Sequence, residues 1–354
     1  MPKVILSFLL TLLAMLCFSQ EKKNFTQSRE FALKLEDRYK GSETIPFKTI
    51  TVKDVRFDTT KLGYVYNVYK HSLNKITTKE SSSNSLTNTV SDYFQNNFVS
   101  SSEKSLLIIV KSFWFQQKAF DLVVNDKIVK KQKNYTDKTG VCFADFEVFS
   151  FSGDGYQALL KFKYDFVDYQ YDSASIQRLF YIPFDSLFRK LHSLDIQQVL
   201  SSKKQFTWNK IDSNYSNRYA LPVLQSEVAE KGVFLTFNDF KIKNQVYPDF
   251  RIVKGDLTDE LYIRKDGKEE LLIDCWGYSD GQNYFIRIGY NFFKLIRQNN
   301  TFDLLGSKYI NSYPKSGVPV PLGGGAYGTA EVQLHKDKLE LRPLQLNMDT
   351  GETY

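Results

Sequence analysis

The sequence predicts an α+β protein in which an N-terminal module of antiparallel strands with packed helices precedes a C-terminal antiparallel β-meander. An apolar stripe with helical spacing in residues 86–98 predicts a helix. Alternation of apolar and polar residues over 141–168 predicts a half-buried strand pair. Asp-Gly pairs between apolar runs in residues 261–290 predict tight hairpins. The length of 354 residues agrees with two domains of roughly 150 residues each.

Composition and charge exclude several classes of protein. The chain holds 29 Phe and 22 Tyr, far more than a disordered chain carries. Its 47 basic and 40 acidic residues give a net charge of +7. The densest basic runs are at 127–133 and 203–210, and neither is accompanied by the signature of a nucleic-acid-binding fold. We therefore predict no nucleic-acid partner.

The N-terminus has the pattern of an export signal. Lys3 precedes an apolar run at 4–18, and the small residue Ser19 predicts cleavage before Gln20. This pattern predicts a signal peptide at 1–19, export to the periplasm or cell surface, and no membrane span once the signal is removed. A retained anchor is an alternative. Lipid attachment at Cys17 is another, but the bulky Leu16 before it disfavours lipidation.

A polar lead at 20–45 comes before the first module, which we place at 46–200. Runs at 47–57 and 64–69 predict strands, and the apolar block at 106–115 predicts a strand covered on both faces. Ser85 is positioned to cap the helix that follows it. The stripe that predicts this helix consists of Leu86, Val90, Tyr93, Phe94 and Phe98.

The first module ends in a long hairpin and a helical region. Period-two alternation runs through both arms of 141–168, and Gly153-Asp154-Gly155 supplies the turn. Residues 175–200 have helical spacing. Pro183 predicts a break there, or the first turn of a second helix.

Residues 201–222 are polar without a clear period, which predicts a linker. The second module, at 223–354, is predicted to be β-rich. Asp266-Gly267 and Asp280-Gly281 separate three apolar runs, and two further runs complete a meander of about five strands. A meander needs a covering layer, which residues 223–240 or the first module could supply.

Two stretches of the second module carry a family resemblance: GVFLTFNDFKIKNQVYPDF at 232–250 and WGYSDGQNYFIRIGYNFFKLIRQNNTFDLLG at 276–306. Together they resemble a module of uncharacterised exported proteins of Gram-negative envelopes. The resemblance covers about the last third of the chain. It implies an envelope location, and it carries no activity and no functional residue.

The sequence contains no convincing local motif for binding a cofactor or a metal or for nucleophilic catalysis. The string GGGAYG at 323–328 has the spacing of a dinucleotide loop, but two prolines precede it and a strand-like run follows. His71, His192 and His335 are scattered, with no ligand spacing between them. There is also no GxSxG elbow. We predict no cofactor and no metal.

Paired carboxylates are the remaining catalytic possibility. Asp274 and Asp280 flank Trp276 and Tyr278, and acids with aromatic residues between them could bind and cleave sugars. A structural interpretation competes with this one, with Trp276 in the core and Asp280 in a turn.

These observations favour a non-enzymatic envelope protein that binds or scaffolds a protein or a glycan. The alternative is a secreted, glycosidase-like hydrolase with Asp274 and Asp280 as acids and Trp276 and Tyr278 as a sugar-binding surface. The sequence leaves open whether Cys142 and Cys275 pair.

Overall fold

A computed structural model describes the chain as two compact units, the first ending at Thr207 and the second beginning at Trp208. The protein combines helices with mostly antiparallel sheets, and strand predominates. The predicted signal peptide and its cleavage site lie outside the described residues. The described residues are 27–31, 43–67, 72–78, 85–100, 102–120, 137–153, 155–168, 175–201, 204–225, 230–255, 258–306, 318–322, 326–330 and 342–353.

The first unit is built on one eight-stranded sheet with the order β1-β4-β3-β5-β6-β7-β8, and β2 also pairs with β5. Its strands are β1 Gln27–Phe31, β2 Thr49–Asp54, β3 Gly63–Asn67, β4 Ser72–Thr78, β5 Ser105–Phe120, β6 Asp137–Ser152, β7 Gly155–Asp168 and β8 Gln205–Phe206. Its helices are α1 Leu86–Phe98, α2 Ser175–His192 and α3 Ile196–Ser201.

The sheet of the first unit contains the predicted antiparallel strands together with parallel pairs that the sequence did not predict. β5, β6 and β7 are antiparallel, as the alternation predicted. β2 and β3, however, both run parallel to β5 along one of its edges. Helix α1 lies between β4 and β5 in the chain, and a connection of that length lets the chain return in the parallel direction.

Helix α1 confirms the predicted helix and its cap. The side chain of Ser85 accepts a hydrogen bond from the backbone N–H of Asn88. The five apolar residues of the stripe are all buried. They join side chains of β5, β6 and α2 in one core in which the rings of Phe98 and Phe188 stack with centroids 3.8 Å apart.

Helix α2 passes through Pro183 without a break, so the predicted interruption there is wrong. The helical region is divided later, at residues 193–195. Proline inside a helix costs about 3 kcal/mol. Phe180, Phe184 and Phe188 recur every four residues and are all buried, and this packing stabilises the helix through the proline.

Residues 55–62, between β2 and β3, form a loop with three buried charged side chains. Arg56, Asp58 and Lys61 are each at most 5% exposed. The Arg56 guanidinium makes paired hydrogen bonds to the Asp54 carboxylate and donates to the backbone carbonyl of Lys61. Arg56 therefore ties the loop to the end of β2 and to its own backbone. The loop lies between the stretch of β5 that pairs with β2 and the stretch that pairs with β3.

Lys61 occupies the centre of this loop. Its Nζ lies 3.2 Å from Asp58 Oδ2 and donates to the Tyr64 hydroxyl over 3.2 Å. It also lies 5.9 Å from the centre of the Trp114 ring. Burial opposes ionisation of Asp58, but Lys61 and hydrogen bonds from Thr60 outweigh it, so the pKa of Asp58 is lowered.

The second unit contains a six-stranded sheet with the order β19-β16-β15-β14-β13-β9, a three-stranded sheet β10-β11-β12 and a two-stranded pair β17-β18. Its strands are β9 Gly232–Phe234, β10 Phe250–Lys254, β11 Asp259–Lys265, β12 Lys268–Leu271, β13 Gly277–Ser279, β14 Tyr284–Ile288, β15 Asn291–Gln298, β16 Thr301–Gly306, β17 Val318–Leu322, β18 Ala326–Ala330 and β19 Arg342–Gln345. Its helices are α4 Trp208–Ser216, α5 Pro222–Gln225 and α6 Phe237–Ile242, with a 3-10 turn at Asn217–Tyr219.

The predicted five-stranded meander is divided between two sheets. The middle of the three apolar runs, 269–276 between the two Asp-Gly pairs, was expected to be one strand. Instead β12 ends at Leu271 in the three-stranded sheet, and β13 begins at Gly277 in the six-stranded sheet. Residues 272–276 cross between them because Trp276 packs against helix α6, where it stacks on Phe240 with ring centroids 4.4 Å apart.

Opposite faces of the six-stranded sheet are covered by different elements. Phe240 of α6 contacts Tyr284, whereas Phe250 of β10 contacts Tyr278. Tyr278 stacks on Phe285, the chain neighbour of Tyr284, and neighbouring strand residues point to opposite faces. Part of the predicted covering layer, residues 223–240, therefore serves as expected, since α6 begins within it.

The stretch predicted as a linker, 201–222, contains ordered elements. It holds β8, α4 and the start of α5, and the boundary between the units falls inside it. Ile211 and Tyr215 of α4 are buried. Their spacing of four residues puts both on one face of the helix, a signal too short to stand out in a polar stretch.

Candidate functional site

The four residues predicted as a sugar site lie around the crossing between the two sheets. Asp274 is exposed in the crossing segment. Asp280 accepts hydrogen bonds from the backbone N–H groups of Gln282 and Asn283 and from the Asn283 side chain. Burial opposes ionisation of Asp280, but these hydrogen bonds outweigh it and lower its pKa. Asp280 thus acts as a turn residue.

The two aromatic residues between these acids point to different clusters. Trp276 contacts the rings of Phe237 and Phe240 on the α6 side. Tyr278 is 5% exposed and contacts the rings of Phe250 and Phe292 on the other side. Burial raises the pKa of Tyr278, and the nearby Asp280 charge adds to the shift. Trp276 and Tyr278 do not form one exposed surface with Asp274.

The other predicted chemical residues are separate. Cys142 and Cys275 are free thiols. Burial, with a smaller contribution from Asp165, raises the pKa of Cys142. His192 is exposed at the end of α2, whereas His71 and His335 lie outside the described residues. Among the residues that the structure describes, no three His, Cys, Asp or Glu side chains are grouped to hold a metal ion.

The most distinctive exposed feature is the outer face of the sheet β10-β11-β12, which we call the outer face. In β11 the inward Leu261 and Ile263 are buried, so Tyr262 between them points outward. The strand register places Arg251 and Leu271 on either side of Tyr262. It defines three rows across the strands: Val253 with Glu260, Arg251 with Tyr262 and Leu271, and Arg264 with Glu269.

A connected charge network holds the polar side chains of this face. The Arg251 guanidinium donates paired hydrogen bonds to the Glu269 carboxylate over 3.0 and 2.9 Å. The same guanidinium lies 4.3 Å from the centre of the Tyr262 ring. The Tyr262 hydroxyl donates to Glu260 over 2.7 Å. These bonds fix the positions of side chains that are flexible in isolation.

The pKa values reflect this network. The hydrogen bond from Arg251 lowers the pKa of Glu269, and the same bond raises the pKa of Arg251. The hydrogen bond to Glu260 raises the pKa of Tyr262. Each shift favours the protonation state found near neutral pH. At neutral pH Arg251 and Glu269 are therefore charged and Tyr262 is neutral.

Apolar side chains flank the charges. Val253 is 37% and Leu271 47% exposed, and Ile273, just beyond β12, is 65% exposed. These are three of the eight large apolar side chains that are exposed among the described residues. Leu272 donates its backbone N–H to the carbonyl of Leu261, which continues the pairing toward Ile273. The outer face therefore combines ordered charges, an aromatic ring and exposed aliphatic groups.

A tight turn and side-chain hydrogen bonds connect the sheet beneath the outer face to the rest of the unit. Asp266 and Gly267 both have positive φ, at 52° and 77°, in the two-residue turn between β11 and β12. At the start of β11, the Asp259 carboxylate accepts from Lys254 Nζ and from the backbone N–H of Phe292. These bonds join the small sheet to β15 of the larger one.

Sequence reasoning identified the β11–β12 hairpin but missed the outer face. The signal was present as alternation in 250–254, where Phe250 and Ile252 are half-buried while Arg251 and Val253 are exposed. Five residues of alternation form a short signal. The pairing of Arg251 with Glu269, 18 positions away, required the tertiary structure.

The protein shows no match to known proteins in three comparisons: no family model, no curated protein and no solved structure is similar to it. Among the described residues, no helix is both long and apolar enough to cross a membrane.

Proposed function

We propose that the protein is an exported, non-enzymatic binding protein of the cell envelope whose outer face holds a protein partner. The pre-ordered Arg251–Tyr262–Glu269 network among exposed aliphatic side chains is the observation that carries this proposal. Export rests on the signal-peptide pattern at 1–19 and on the resemblance to exported envelope proteins.

The chemistry of the outer face favours a protein over other partners. Arg and Tyr dominate the binding energy of many protein interfaces, and both are already ordered here. Val253, Leu271 and Ile273 add apolar area that a sugar would not use well. Positive and negative side chains alternate across the face, so it lacks the one-sign field that attracts a polyanion.

The proposed organisation has a first module at 46–200 and a second at 223–354, joined by 201–222. The division of the structure between Thr207 and Trp208 supports a boundary inside that stretch. The outer face then belongs to the second module, the part of the chain that carries the resemblance to envelope proteins.

Site-specific photocrosslinking in the producing cell tests the binding proposal. A photoreactive amino acid at position 271 of the full chain should give one discrete adduct with another protein. The matched control places it at position 242, where Ile242 is 50% exposed on α6, the helix on the opposite side of the six-stranded sheet. Arg251→Ala should abolish the adduct. No adduct, or the same adduct from both positions, would refute the proposal.

Mass determination of the mature N-terminus tests export. Cleavage before Gln20 is the expected result, and lipid on Cys17 would indicate the lipoprotein alternative. Recovery of the native chain from the cytosol with Met1 still attached would contradict export.

The alternative proposal is a secreted, glycosidase-like hydrolase that uses Asp274 and Asp280. Its support is weaker because Asp280 is committed to a turn and Trp276 and Tyr278 face different clusters. A panel of chromogenic glycosides and esters distinguishes the two proposals. Turnover that disappears in Asp274→Asn, with folding unchanged, would favour the hydrolase.

A further inference from the structure

Strand β7 of the first unit has an open edge. It pairs along its length with β6 on one side. On the other side β8 pairs only with Tyr156 and Gln157, and within the described part of the chain no strand pairs there with the rest of β7. Unpaired backbone groups along an edge are a template for another strand.

The two faces of this edge carry distinct chemistry. Phe162, Tyr164 and Phe166 form a ladder of near-parallel rings on the helix-covered face, with centroids 5.8 and 6.3 Å apart. All three are partly exposed. Lys161, Lys163 and Asp165 alternate with them on the opposite face and are exposed.

The charged side chains of this edge differ in whether they form an ion pair. Lys161 Nζ lies 3.6 Å from Glu147 Oε1 of β6. Lys163 and Asp165 have no ion-pair partner among the described residues. Two opposite charges at positions i and i+2 of an open edge can both be paired when the same strand of a second copy lies antiparallel beside it.

We propose that the chain forms a two-fold dimer by antiparallel pairing of β7 with β7 of a second copy, centred on Tyr164. Around this centre Lys163 faces Asp165 of the copy, and Asp165 faces its Lys163. Phe162 faces Phe166 of the copy on the aromatic face. Lys161 faces Val167, so no like charges are opposed.

Other registers are less favourable. A centre at Lys163 opposes the two Lys163 side chains, and a centre at Asp165 opposes the two Asp165 side chains. A centre at Phe162 opposes Lys161 and Lys163. A one-residue shift would place aromatic side chains opposite charged ones. Charge and ring placement therefore favour the centre at Tyr164 over these centres. The lysines of the edge discourage pairing with other strands, but they become favourable for a copy that brings Asp165.

Charge reversal tests the dimer and its register together. The full-length mature chain should approach twice its monomer mass with rising concentration in sedimentation equilibrium. Lys163→Asp and Asp165→Lys should each raise the dissociation constant by at least about tenfold. The double variant should restore it to near the wild-type value. Lys161→Asp, the control with the same change in charge, should have a much smaller effect.

Cysteine crosslinking gives a second, geometric readout. In the proposed register Tyr164→Cys places two thiols directly across the two-fold axis, within reach of a disulfide. Mild oxidation should yield a covalent dimer above the background set by Cys142 and Cys275 of the wild type. Lys161→Cys, which faces Val167 of the copy, should not.

Several results would overturn the proposal. These are a monomer at every concentration, a dimer indifferent to both single reversals, or a double variant that stays dissociated. A monomer whose amides at 160–168 exchange slowly would show that a different segment or partner covers the edge. The dimer goes beyond the proposed binding function and uses residues of the other unit, so either proposal can fail without the other.

Discussion

Replacing Lys61 by methionine should strongly destabilise the first unit. Lys61 and Asp58 have side chains that are 3% and 1% exposed, and their charged atoms lie 3.2 Å apart. Methionine has a similar length and keeps the apolar stem beside Trp114 and Tyr64. The change therefore removes the charge and leaves most of the packing.

The expected cost follows from the burial of Asp58. Removing one partner of a buried ion pair typically costs about 3–5 kcal/mol, because the remaining charge stays desolvated. Asp58→Asn should cost a similar amount, since it strands the ammonium of Lys61 while an amide can still accept from Thr60. The double variant leaves no stranded charge, so the loss should be about 2 kcal/mol smaller than the sum of the two single losses.

Urea unfolding followed by the fluorescence of Trp114 measures these losses. Trp208→Phe and Trp276→Phe in every variant leave Trp114 as the single tryptophan, so the signal reports the first unit. A loss below about 1 kcal/mol for Lys61→Met would refute the view that this pair is desolvated. Strict additivity in the double variant would show that Lys61 and Asp58 do not interact.

Three further predictions follow from burial and close contacts. The pKa of Asp58 is lowered in the folded protein, so its contribution to stability is complete above about pH 4 and is lost as the pH falls below that. Asp58→Asn should therefore flatten the decline of the urea midpoint in acid. Gly63→Ala should destabilise the first unit by more than about 2 kcal/mol in urea unfolding, because φ of Gly63 is 143° and a Cβ would lie 1.8 Å from the Phe115 carbonyl oxygen. An unchanged midpoint would contradict the β3–β5 contact. Phe240→Ala should lower the stability of the second unit by about 3–5 kcal/mol in calorimetry, because Phe240 is buried. Ile242 is exposed on the same helix, so Ile242→Ala should lower it by less than about 1 kcal/mol. Equal losses would show that α6 does not cover the sheet.

Local features of the fold could be predicted from the sequence because their causes lie within a few residues. The five apolar positions of α1 and its Ser85 cap act within four turns of helix. Alternation along β6 and β7 predicted their pairing because one face of each strand packs on the core. The Asp266-Gly267 turn forms because both residues adopt positive φ.

Features that depend on distant partners could not be predicted. Pro183 lies inside a helix because aromatic side chains from other elements pack around it, as in the stacking of Phe184 on Phe146. The arm at 269–276 divides because Trp276 packs against α6, whose Phe240 lies 36 positions earlier in the chain. The paired acids Asp274 and Asp280 were plausible from spacing alone, but the hydrogen bonds that occupy Asp280 become visible only in the folded turn.

The sequence by itself determined the periodicities of this protein, namely which segments become helix or strand and where the chain can turn tightly. Steric limits on each residue and the spacing of apolar side chains act locally, so they can be read without a partner. Tertiary structure decided which strands share a sheet, that Arg56, Asp58 and Lys61 are buried, and that Arg251, Tyr262 and Glu269 meet on one exposed face. Those outcomes depend on burial and on charge pairing between segments far apart in the chain. Only the folded backbone sets the distances between such segments.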